Sequence, residues 1–222
     1  MPAPITIIIP TLNSAQTLPA TFAALVEGLQ ADLIAQVIVV DGGSQDATVD
    51  IAAEWGATVL HAPPSRGGQL AVGGQAARGD WLLFLHSDTQ LSPGWSQAVV
   101  GLTPDRAFCF CLKFRAAGFA ARWVAGWANL RTRLFGLPYG DQGMLLHRNL
   151  YDAVGGYPNI KLMEDVALAR ALPHKPILLP AFALTDARKF ETQGWLRRGA
   201  RNLGLLARYF MGTSPDDLAK RY

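Results

Sequence analysis

Short apolar runs alternate with amphipathic stretches along the first 85 residues of the chain. Four runs rich in aliphatic and β-branched side chains predict strands at residues 5–9, 37–40, 57–61 and 81–85. Helical patterns separate them at residues 15–29, 46–55 and about 69–77, the last after a loop at 63–68. Because apolar strands that alternate with helices are typical of a sheet covered on both faces, the pattern predicts an α/β fold with parallel strands.

The second half of the chain also contains strands and helices, but in a less regular order. Strand patterns lie at residues 107–114, 144–147 and 177–179. Helical patterns lie at residues 119–135, 149–154, 165–172 and beyond 193. No internal repeat or low-complexity tract occurs, so we expect one compact domain over residues 1–222.

An acidic residue follows three of the apolar segments, namely Asp41, Asp88 and Asp165. Ligands of open α/β sheets bind outside the carboxyl ends of the strands, so we expect these carboxylates to gather around one site. Two of them suit a nucleotide and its metal ion, and the third, much later in the chain, suits a general base. A Rossmann dinucleotide site is disfavoured because residues 10–13 after the first strand lack the glycine-rich turn.

The charge and composition of the chain narrow the classes of binding partner that it can have. Half of the 222 residues are apolar and the net charge is +3, with lysine and arginine crowded into residues 122–133 and 188–208. Such clusters favour a polyanionic or membrane-surface partner over nucleic acid, and no zinc-finger or RNA-binding motif is present. Cys109 and Cys111 are expected to be reduced, packed thiols. The N-terminus lacks a signal-peptide pattern, so we expect a cytoplasmic protein, with peripheral membrane contact left open.

Five short motifs occur in an order shared with a known enzyme family. They are Ile9-Pro10-Thr11-Leu12-Asn13, Val39-Val40-Asp41-Gly42-Gly43-Ser44-Gln45-Asp46, Arg78-Gly79-Asp80, Leu83-Phe84-Leu85-His86-Ser87-Asp88 and Met163-Glu164-Asp165. Their order and spacing resemble family 2 glycosyltransferases from about residue 5 to residue 172. A finer pattern is similar to a small bacterial subgroup of stand-alone glycosyltransferases named for arsenosugar biosynthesis. It consists of Gly140-Asp141-Gln142-Gly143, Leu162-Met163-Glu164-Asp165 and Ala187-Arg188-Lys189-Phe190.

The resemblance implies a GT-A-like fold with three layers around a mixed, mostly parallel sheet. It implies an inverting, metal-dependent transfer of a sugar from a nucleoside-diphosphate donor, with a UDP-sugar favoured. The acceptor would be the hydroxyl of a small-molecule or lipid-linked compound. Residues 1–90 are then expected to bind the nucleotide sugar, residues 91–180 to face the acceptor, and residues 181–222 to form a C-terminal helical extension.

On the donor side, Asp41 is expected to accept a hydrogen bond from a pyrimidine N–H, with Pro10, Thr11 and Asn13 lining the same recess. The alternative is that Asp41 only caps the bend that follows it. Arg66, in the loop before the third helix, could reach the pyrimidine or a phosphate, because a guanidinium matches both planar and anionic partners.

Asp88 is the expected ligand of Mg²⁺ or Mn²⁺, since a cation that bridges two phosphates stabilises the leaving group. The family usually has Asp-x-Asp here, whereas this chain has His86-Ser87-Asp88. His86 is therefore assigned to the ribose side of the donor, with a buried, hydrogen-bonded histidine as the alternative. Arg188 and Lys189 are expected to bind the diphosphate, or else to belong to a solvated face.

Asp165 resembles the catalytic base of the family. An inverting transfer needs one base opposite the leaving diphosphate, and a carboxylate at a helix N-terminus meets this need. Glu164, Asp141 and Gln142 are expected to contact the acceptor. The alternative for the Glu-Asp pair is that both acids only complement the helix dipole.

Two other functions stay open. A sugar-nucleotide nucleotidyltransferase usually has a glycine-rich, basic loop after the first strand, which residues 10–17 lack. A non-catalytic nucleotide-sugar-binding protein is the other alternative, because His86 replaces the first acid of the usual Asp-x-Asp motif. Residues 119–127 and 195–210 combine Trp, Leu and Arg at helical spacing, which suits a membrane interface, core packing or a homodimer contact.

Overall fold

The computed structural model describes residues 4–220 and contains an eight-stranded sheet with helices on both faces. The strands are β1 (Ile5–Thr11), β2 (Ile34–Asp41), β3 (Thr58–His61), β4 (Trp81–Phe84), β5 (Gln90–Leu91), β6 (Ala107–Phe114), β7 (Met144–His147) and β8 (Ile177–Thr185). The helices are α1 (Leu18–Gln30), α2 (Thr48–Glu54), α3 (Arg66–Ala76), α4 (Trp95–Ala98), α5 (Phe119–Phe135), α6 (Arg148–Ala153), α7 (Glu164–Ala171), α8 (Arg188–Gln193), α9 (Trp195–Phe210) and α10 (Pro215–Ala219). The strand order is β3-β2-β1-β4-β7-β6-β8-β5.

The first four strands in that order are parallel. β1 lies between β2 and β4, and its Ile7 is opposite Val37 on one side and Leu83 on the other. β3 pairs with β2 in the same direction. All four strands therefore end at one edge of the sheet, which collects the segments that follow them.

The remaining strands make the sheet mixed. β7 runs antiparallel to both β4 and β6, and β8 is parallel to β6. The short β5 pairs antiparallel with β8. The prediction of an α/β fold with a mixed, mostly parallel sheet is confirmed.

Apolar side chains cover both faces of this sheet. Along β1, Ile7 packs on one face with Phe22 of α1 and Trp95 of α4, whereas Ile8 packs on the other face with Leu70 of α3. All five side chains are buried, and each such burial contributes about 1.5–3 kcal/mol. Because both faces are apolar, the central strands have continuous apolar runs rather than an alternating pattern.

The loop predicted at residues 63–68 is shorter in the structure. α3 begins at Arg66, since the Ser65 hydroxyl caps the helix by accepting the Gly68 N–H. A Cβ on Gly67 would lie only 2.3 Å from the Pro158 carbonyl oxygen. Gly67 therefore allows close packing rather than loop flexibility, and Arg66 extends from a helix N-terminus.

β8 is longer than the strand predicted at residues 177–179, because Pro180 does not end it. The pairing with β6 passes from Leu179 directly to Phe182. The proline thus lies in a bulge, where it does not have to donate a ladder hydrogen bond. This continuation carries β8 to Thr185 at the same edge of the sheet as the end of β4.

Candidate active site

A pocket of about 150 Å³ lies beyond the carboxyl ends of β4 and β8, between the start of α7 and the C-terminal helices. The charged side chains that line it are Asp88, Asp141, Glu164, Asp165, Asp186, Arg66, Lys189 and Arg198. The structure thus brings Asp88 and Asp165 to one pocket, but only Asp88 follows a strand, since the segment before Asp165, predicted as strand-like, is not a strand and Asp165 lies in the first turn of α7. Asp41 does not line it.

Asp165 lies in the first turn of α7, and the protein holds both of its carboxylate oxygens. The Gly140 backbone N–H donates to Oδ2 at 2.8 Å, and the Tyr157 hydroxyl donates to Oδ1 at 3.1 Å. Burial raises the pKa of Asp165, whereas Arg66 and these two hydrogen bonds favour its ionised form. The carboxylate therefore has a fixed orientation at the pocket wall.

The neighbouring Glu164 has fewer partners. Its Oε1 lies 3.5 Å from Nη1 of Arg66, whereas its buried Oε2 has no hydrogen-bond partner among residues 4–220. Burial, followed by the charge of Asp165, raises the pKa of Glu164 to about 7. Asp165 has two close donors, whereas Glu164 has the distant Arg66 and its own backbone N–H, so protonation of this pair is favoured on Glu164.

The short 3₁₀ turn Gly140–Gln142 contains two predicted acceptor residues, Asp141 and Gln142, whose side chains lie in different surroundings. Asp141 lines the pocket, and burial raises the pKa of its carboxyl to about 6. Gln142 faces the core instead, where its Oε1 accepts from the Thr132 hydroxyl at 2.8 Å and its Nε2 donates to the Phe110 carbonyl at 3.2 Å. The structure therefore brings Asp141 to the pocket and leaves Gln142 behind it.

His86 packs directly against the backbone of Gly140. A Cβ on Gly140 would lie 2.2 Å from His86 Nε2 and 2.8 Å from Asp165 Oδ2, so a larger residue would displace both side chains. Burial, followed by the charges of Arg66 and Lys189, holds the pKa of His86 well below its usual value. The ring is therefore neutral, and its enclosed Nε2 has no hydrogen-bond partner within the described chain.

Asp88 lines the pocket two residues beyond His86. Within residues 4–220, no three His, Cys, Asp or Glu side chains form a group that could hold a metal ion by themselves. Magnesium is usually held by one or two carboxylates together with substrate phosphates, so a complete protein cage is not required. Asp88 and the buried Asp141 Oδ1, which has no partner in the described residues, are hard oxygen ligands that fit such a cation.

The predicted base-binding residues form a separate cluster at the ends of β1 and β2. Asp41 accepts hydrogen bonds from the Thr11 hydroxyl at 3.0 Å and from the backbone N–H groups of Gly43 and Ser44 at 2.8 Å. Asn13, with a left-handed φ of 50°, accepts from the Gln45 N–H at 2.9 Å.

These contacts give Asp41 the bend-capping role that was its alternative. Pro10 is opposite the residue before Asp41 in the β1–β2 pairing and belongs to the same cluster. Neither Asp41 nor Pro10 lines the pocket.

The two residues predicted to bind the diphosphate, Arg188 and Lys189, begin α8, and their side chains lie in different places. Lys189 lines the pocket. Arg188 is exposed, and its guanidinium donates to Asp186 Oδ2 at 2.7 Å and to Gln16 Oε1 at 3.2 Å. Only Lys189 of this pair therefore belongs to the pocket wall.

Several residues at the site, including Asp186, Tyr157, Arg198 and Asn202, were not predicted as site residues from the sequence. Tyr157 acts through Asp165, and α9 contributes Arg198 and Asn202 to the pocket wall. Arg198 is buried, and its Nη1 donates to Gln193 Oε1 at 2.8 Å. The i, i+4 spacing of Arg198 and Asn202 could have indicated a shared helix face, whereas no sequence signal distinguishes Tyr157.

Comparison with known proteins decides which enzyme family has this arrangement. Residues 6–154, more than half of the chain, match the family model described as glycosyl transferase family 2. The chain belongs to glycosyl transferase family 2. The sequence prediction of the family is thereby confirmed.

Two curated relatives of this glycosyltransferase are mycobacterial. It is 32% identical over 170 residues to the PGL/p-HBAD biosynthesis glycosyltransferase of Mycobacterium bovis (strain BCG / Pasteur 1173P2), covering 71% of this chain and 64% of the relative. It is 30% identical over 182 residues to an uncharacterized glycosyltransferase of Mycobacterium tuberculosis (strain ATCC 25618 / H37Rv), covering 74% and 79%. The chain thus spans less than two thirds of the first relative. Neither name mentions arsenosugars, so that likeness rests on the motifs alone.

Solved structures of other glycosyltransferases share the fold. The mannosyltransferase PcManGT from Pyrobaculum calidifontis, in complex with GDP-Man and Mn²⁺, has a TM-score of 0.67 and 18% identity, covering 96% of this chain and 66% of that one. Glucosyl-3-phosphoglycerate synthase from Mycobacterium tuberculosis, in complex with Mn²⁺, UDP-glucose and phosphoglyceric acid, has a TM-score of 0.55 and 20% identity, covering 79% and 69%. The expected GT-A fold of this glycosyltransferase is confirmed.

Proposed function

We propose that this glycosyltransferase moves a sugar from a nucleoside-diphosphate donor, with UDP favoured, to an acceptor hydroxyl, with inversion at the anomeric carbon. The acceptor is a small-molecule or lipid-linked compound, and residues 1–222 act as one catalytic domain. The observation that carries the proposal is the acidic pair at the start of α7. A buried Asp165 carboxylate, held by two donors, lies beside a buried Glu164 whose Oε2 has no hydrogen-bond partner within residues 4–220.

Asp165 is the proposed base in a single displacement, which needs one proton acceptor and no covalent sugar–enzyme intermediate. The hydrogen bonds from Gly140 and Tyr157 hold its carboxylate in one direction, so little freedom is lost when the acceptor arrives. Burial raises its pKa, which makes it a better proton acceptor than an exposed aspartate. Burial raises the pKa of Glu164 to about 7, and its protonated form can donate a hydrogen bond to the acceptor.

A divalent cation, Mg²⁺ or Mn²⁺, is part of the proposal. Asp88 would hold it together with the donor phosphates, and Asp141 offers a second carboxylate in the same pocket. When bound, the cation supplies positive charge that stabilises the departing diphosphate. Lys189 and Arg198 add two positive side chains to the pocket wall and attract the same anion.

The preference for a uridine donor rests on the chemistry of Asp41. Its carboxylate already accepts backbone N–H groups from Gly43 and Ser44, and uracil offers a ring N–H of the same kind. For uracil to bind there, one hydroxyl hydrogen bond to Asp41, from Thr11 or Ser44, has to give way. The two structural neighbours contain different donors, GDP-Man and UDP-glucose. At 18% and 20% sequence identity, they share the fold with this chain and do not indicate its donor.

The test is nucleotide release from a panel of UDP- and GDP-sugars, measured with Mn²⁺ or with EDTA, while water serves as a slow acceptor. We expect UDP release that requires the cation, and no pyrophosphate in a parallel reaction supplied with UTP and a sugar 1-phosphate. Asp88→Asn should lower the cation-dependent rate by about 10²-fold or more, since a ligand that helps stabilise the leaving group is lost. Asp152→Asn, at an exposed acid on α6, is the matched control and should keep the wild-type rate.

Other outcomes identify the rival functions. Pyrophosphate release from UTP and a sugar 1-phosphate would indicate a nucleotidyltransferase, and calorimetric donor binding without any nucleotide release would indicate a non-catalytic binding protein. Unchanged cation dependence in the Asp88→Asn variant would exclude Asp88 as the metal ligand.

A further inference from the structure

The exposed face of α5 carries an apolar stripe. It consists of Phe119, Trp123, Trp127, Leu130 and Leu134, which repeat at helical spacing and are 43% to 75% exposed. The opposite face is made of small residues, since Ala121, Ala125 and Ala128 pack into the core beneath it. α5 therefore exposes its largest apolar side chains and buries its smallest, the reverse of an ordinary surface helix.

α9 contacts α5 and exposes a second apolar stripe. Its Leu196, Leu203 and Phe210 are exposed and lie seven residues apart on one side of the helix. Of the 16 exposed large apolar side chains in the described part of the chain, six lie on α5 and three on α9. A single exposed apolar residue needs no explanation, but a concentration of this kind marks an interaction surface. We call these two exposed stripes and the arginines beside them the α5–α9 face.

The charged residues of α5 and α9 are all positive. Arg122 and Arg133 on α5 and Arg197 and Arg208 on α9 are exposed, and neither helix, over its described length, contains an Asp or Glu. A second copy of this chain docked face to face would bring arginines against arginines, without a carboxylate on these helices to neutralise them. Anionic lipid headgroups supply the missing negative charge, and the region beneath them accepts Trp, Phe and Leu side chains.

We propose that the α5–α9 face docks on the surface of an anionic phospholipid bilayer. No helix within residues 4–220 is long and apolar enough to cross a membrane. The α5–α9 face has the composition of helices that lie in the interface plane, with aromatic and aliphatic side chains flanked by arginine and without acidic residues.

α9 connects this face with the active site. Its inner side contributes Arg198, Asn202 and Leu205 to the pocket, whereas its outer side carries Leu196 and Leu203. Docking therefore brings the pocket to within about the diameter of one helix, roughly 10 Å, of the lipid headgroups. Delivery of a lipid-linked acceptor hydroxyl along this route rests on the proposed transferase function, whereas the docking itself does not.

The experiment is flotation of the full chain with vesicles of phosphatidylcholine alone or with added phosphatidylglycerol. We expect binding to the anionic vesicles, and weaker binding at high salt. The double variant Arg197→Gln and Arg208→Gln should lower the partition coefficient by about 25-fold, since each arginine near an anionic surface contributes about fivefold. Trp123→Gln with Trp127→Gln should lower it by about tenfold or more, because two interfacial anchors are lost.

The matched control is Leu29→Gln with Arg78→Gln, an exposed apolar and basic pair away from both helices. It should bind vesicles like the wild type. Absence of wild-type binding, or equal binding by the Trp123/Trp127 and control variants, would overturn the proposal. A concentration-dependent dimer in sedimentation, abolished by the tryptophan substitutions while vesicles stay unbound, would identify the face as a contact between copies. Because the assay contains no sugar donor, its failure is distinguishable from failure of the transferase proposal.

Discussion

Replacing Glu164 by glutamine should stabilise the protein at alkaline pH while impairing its function. The carboxyl is 1% exposed, and burial together with the Asp165 charge raises its pKa from 4.5 to about 7. A carboxyl whose pKa is raised by folding contributes most stability below its unfolded pKa and loses that contribution as the pH rises through its folded pKa. Wild-type stability from this group therefore falls between about pH 4.5 and pH 7.

The magnitude follows from the same shift. A change from 4.5 to about 7 corresponds to about 3 kcal/mol at roughly 1.4 kcal/mol per pKa unit. This is a net value, because the charge and hydrogen bond of Arg66 lower the pKa of Glu164 and are already included in the shift. Since a neutral glutamine resembles the protonated carboxyl, Glu164→Gln should be about 3 kcal/mol more stable than the wild type at pH 8.

Urea denaturation at pH 5 and pH 8 measures this difference directly. The gain should be present at pH 8 and nearly absent at pH 5, where Glu164 is protonated in the wild type. Thermal melting at pH 8 should show a rise of about 5–10 °C for a chain of this length. Glu54→Gln, at an exposed glutamate that ends α2, is the control and should change neither value. Equal stability differences at the two pH values would refute the assignment of a buried, proton-retaining Glu164.

Three further predictions concern the rest of the pocket. Asp165→Asn should lower turnover by about 10²-fold or more while calorimetry finds UDP and metal binding nearly unchanged; parallel loss of binding would instead assign Asp165 to the donor site. Tyr157→Phe removes a donor that favours ionised Asp165, so the acidic limb of the kcat profile should move to higher pH, and an unmoved limb would contradict this positioning role. Gly140→Ala should lower both Tm and turnover, because its Cβ would meet His86 and Asp165, whereas Gly126→Ala, which has open space around it, should retain both.

Element types and their order followed from local sequence patterns. α5 and β7 occupy the predicted ranges 119–135 and 144–147, since their hydrophobic periods and flanking glycines are local signals. The structure departs from the prediction where contacts with a distant segment of the chain decide where a strand or helix begins or ends. β8 continues past Pro180 because β6 accommodates a bulge, and α3 begins at Arg66 because Ser65 and the 158–160 segment hold its first turn.

The strand-end argument was right for Asp88, which follows β4, but Asp165 reaches the same pocket from the first turn of α7 rather than from the end of a strand, and Asp41 was not separated from them. β1 lies between β2 and β4, so Asp41 ends a strand two positions from β4. At about 4.8 Å per strand, this puts roughly 10 Å between the two strand ends. Strand order depends on which chain segments pair. The sequence of one apolar run does not specify which other strand will lie beside it in the sheet.

The sequence by itself determined the family, the α/β fold and the acidic residues that follow strands at one edge of the sheet. Only the tertiary structure decided which side chains meet there. Gly140 contacts Asp165 across 25 residues and Arg66 contacts Glu164 across 98, and α9 closes the pocket from the far end of the chain. A raised carboxyl pKa results from desolvation and from all surrounding charges together. Those surroundings exist only once the distant segments have packed, whereas the alternation that forms a strand or a helix is already present in a few neighbouring residues.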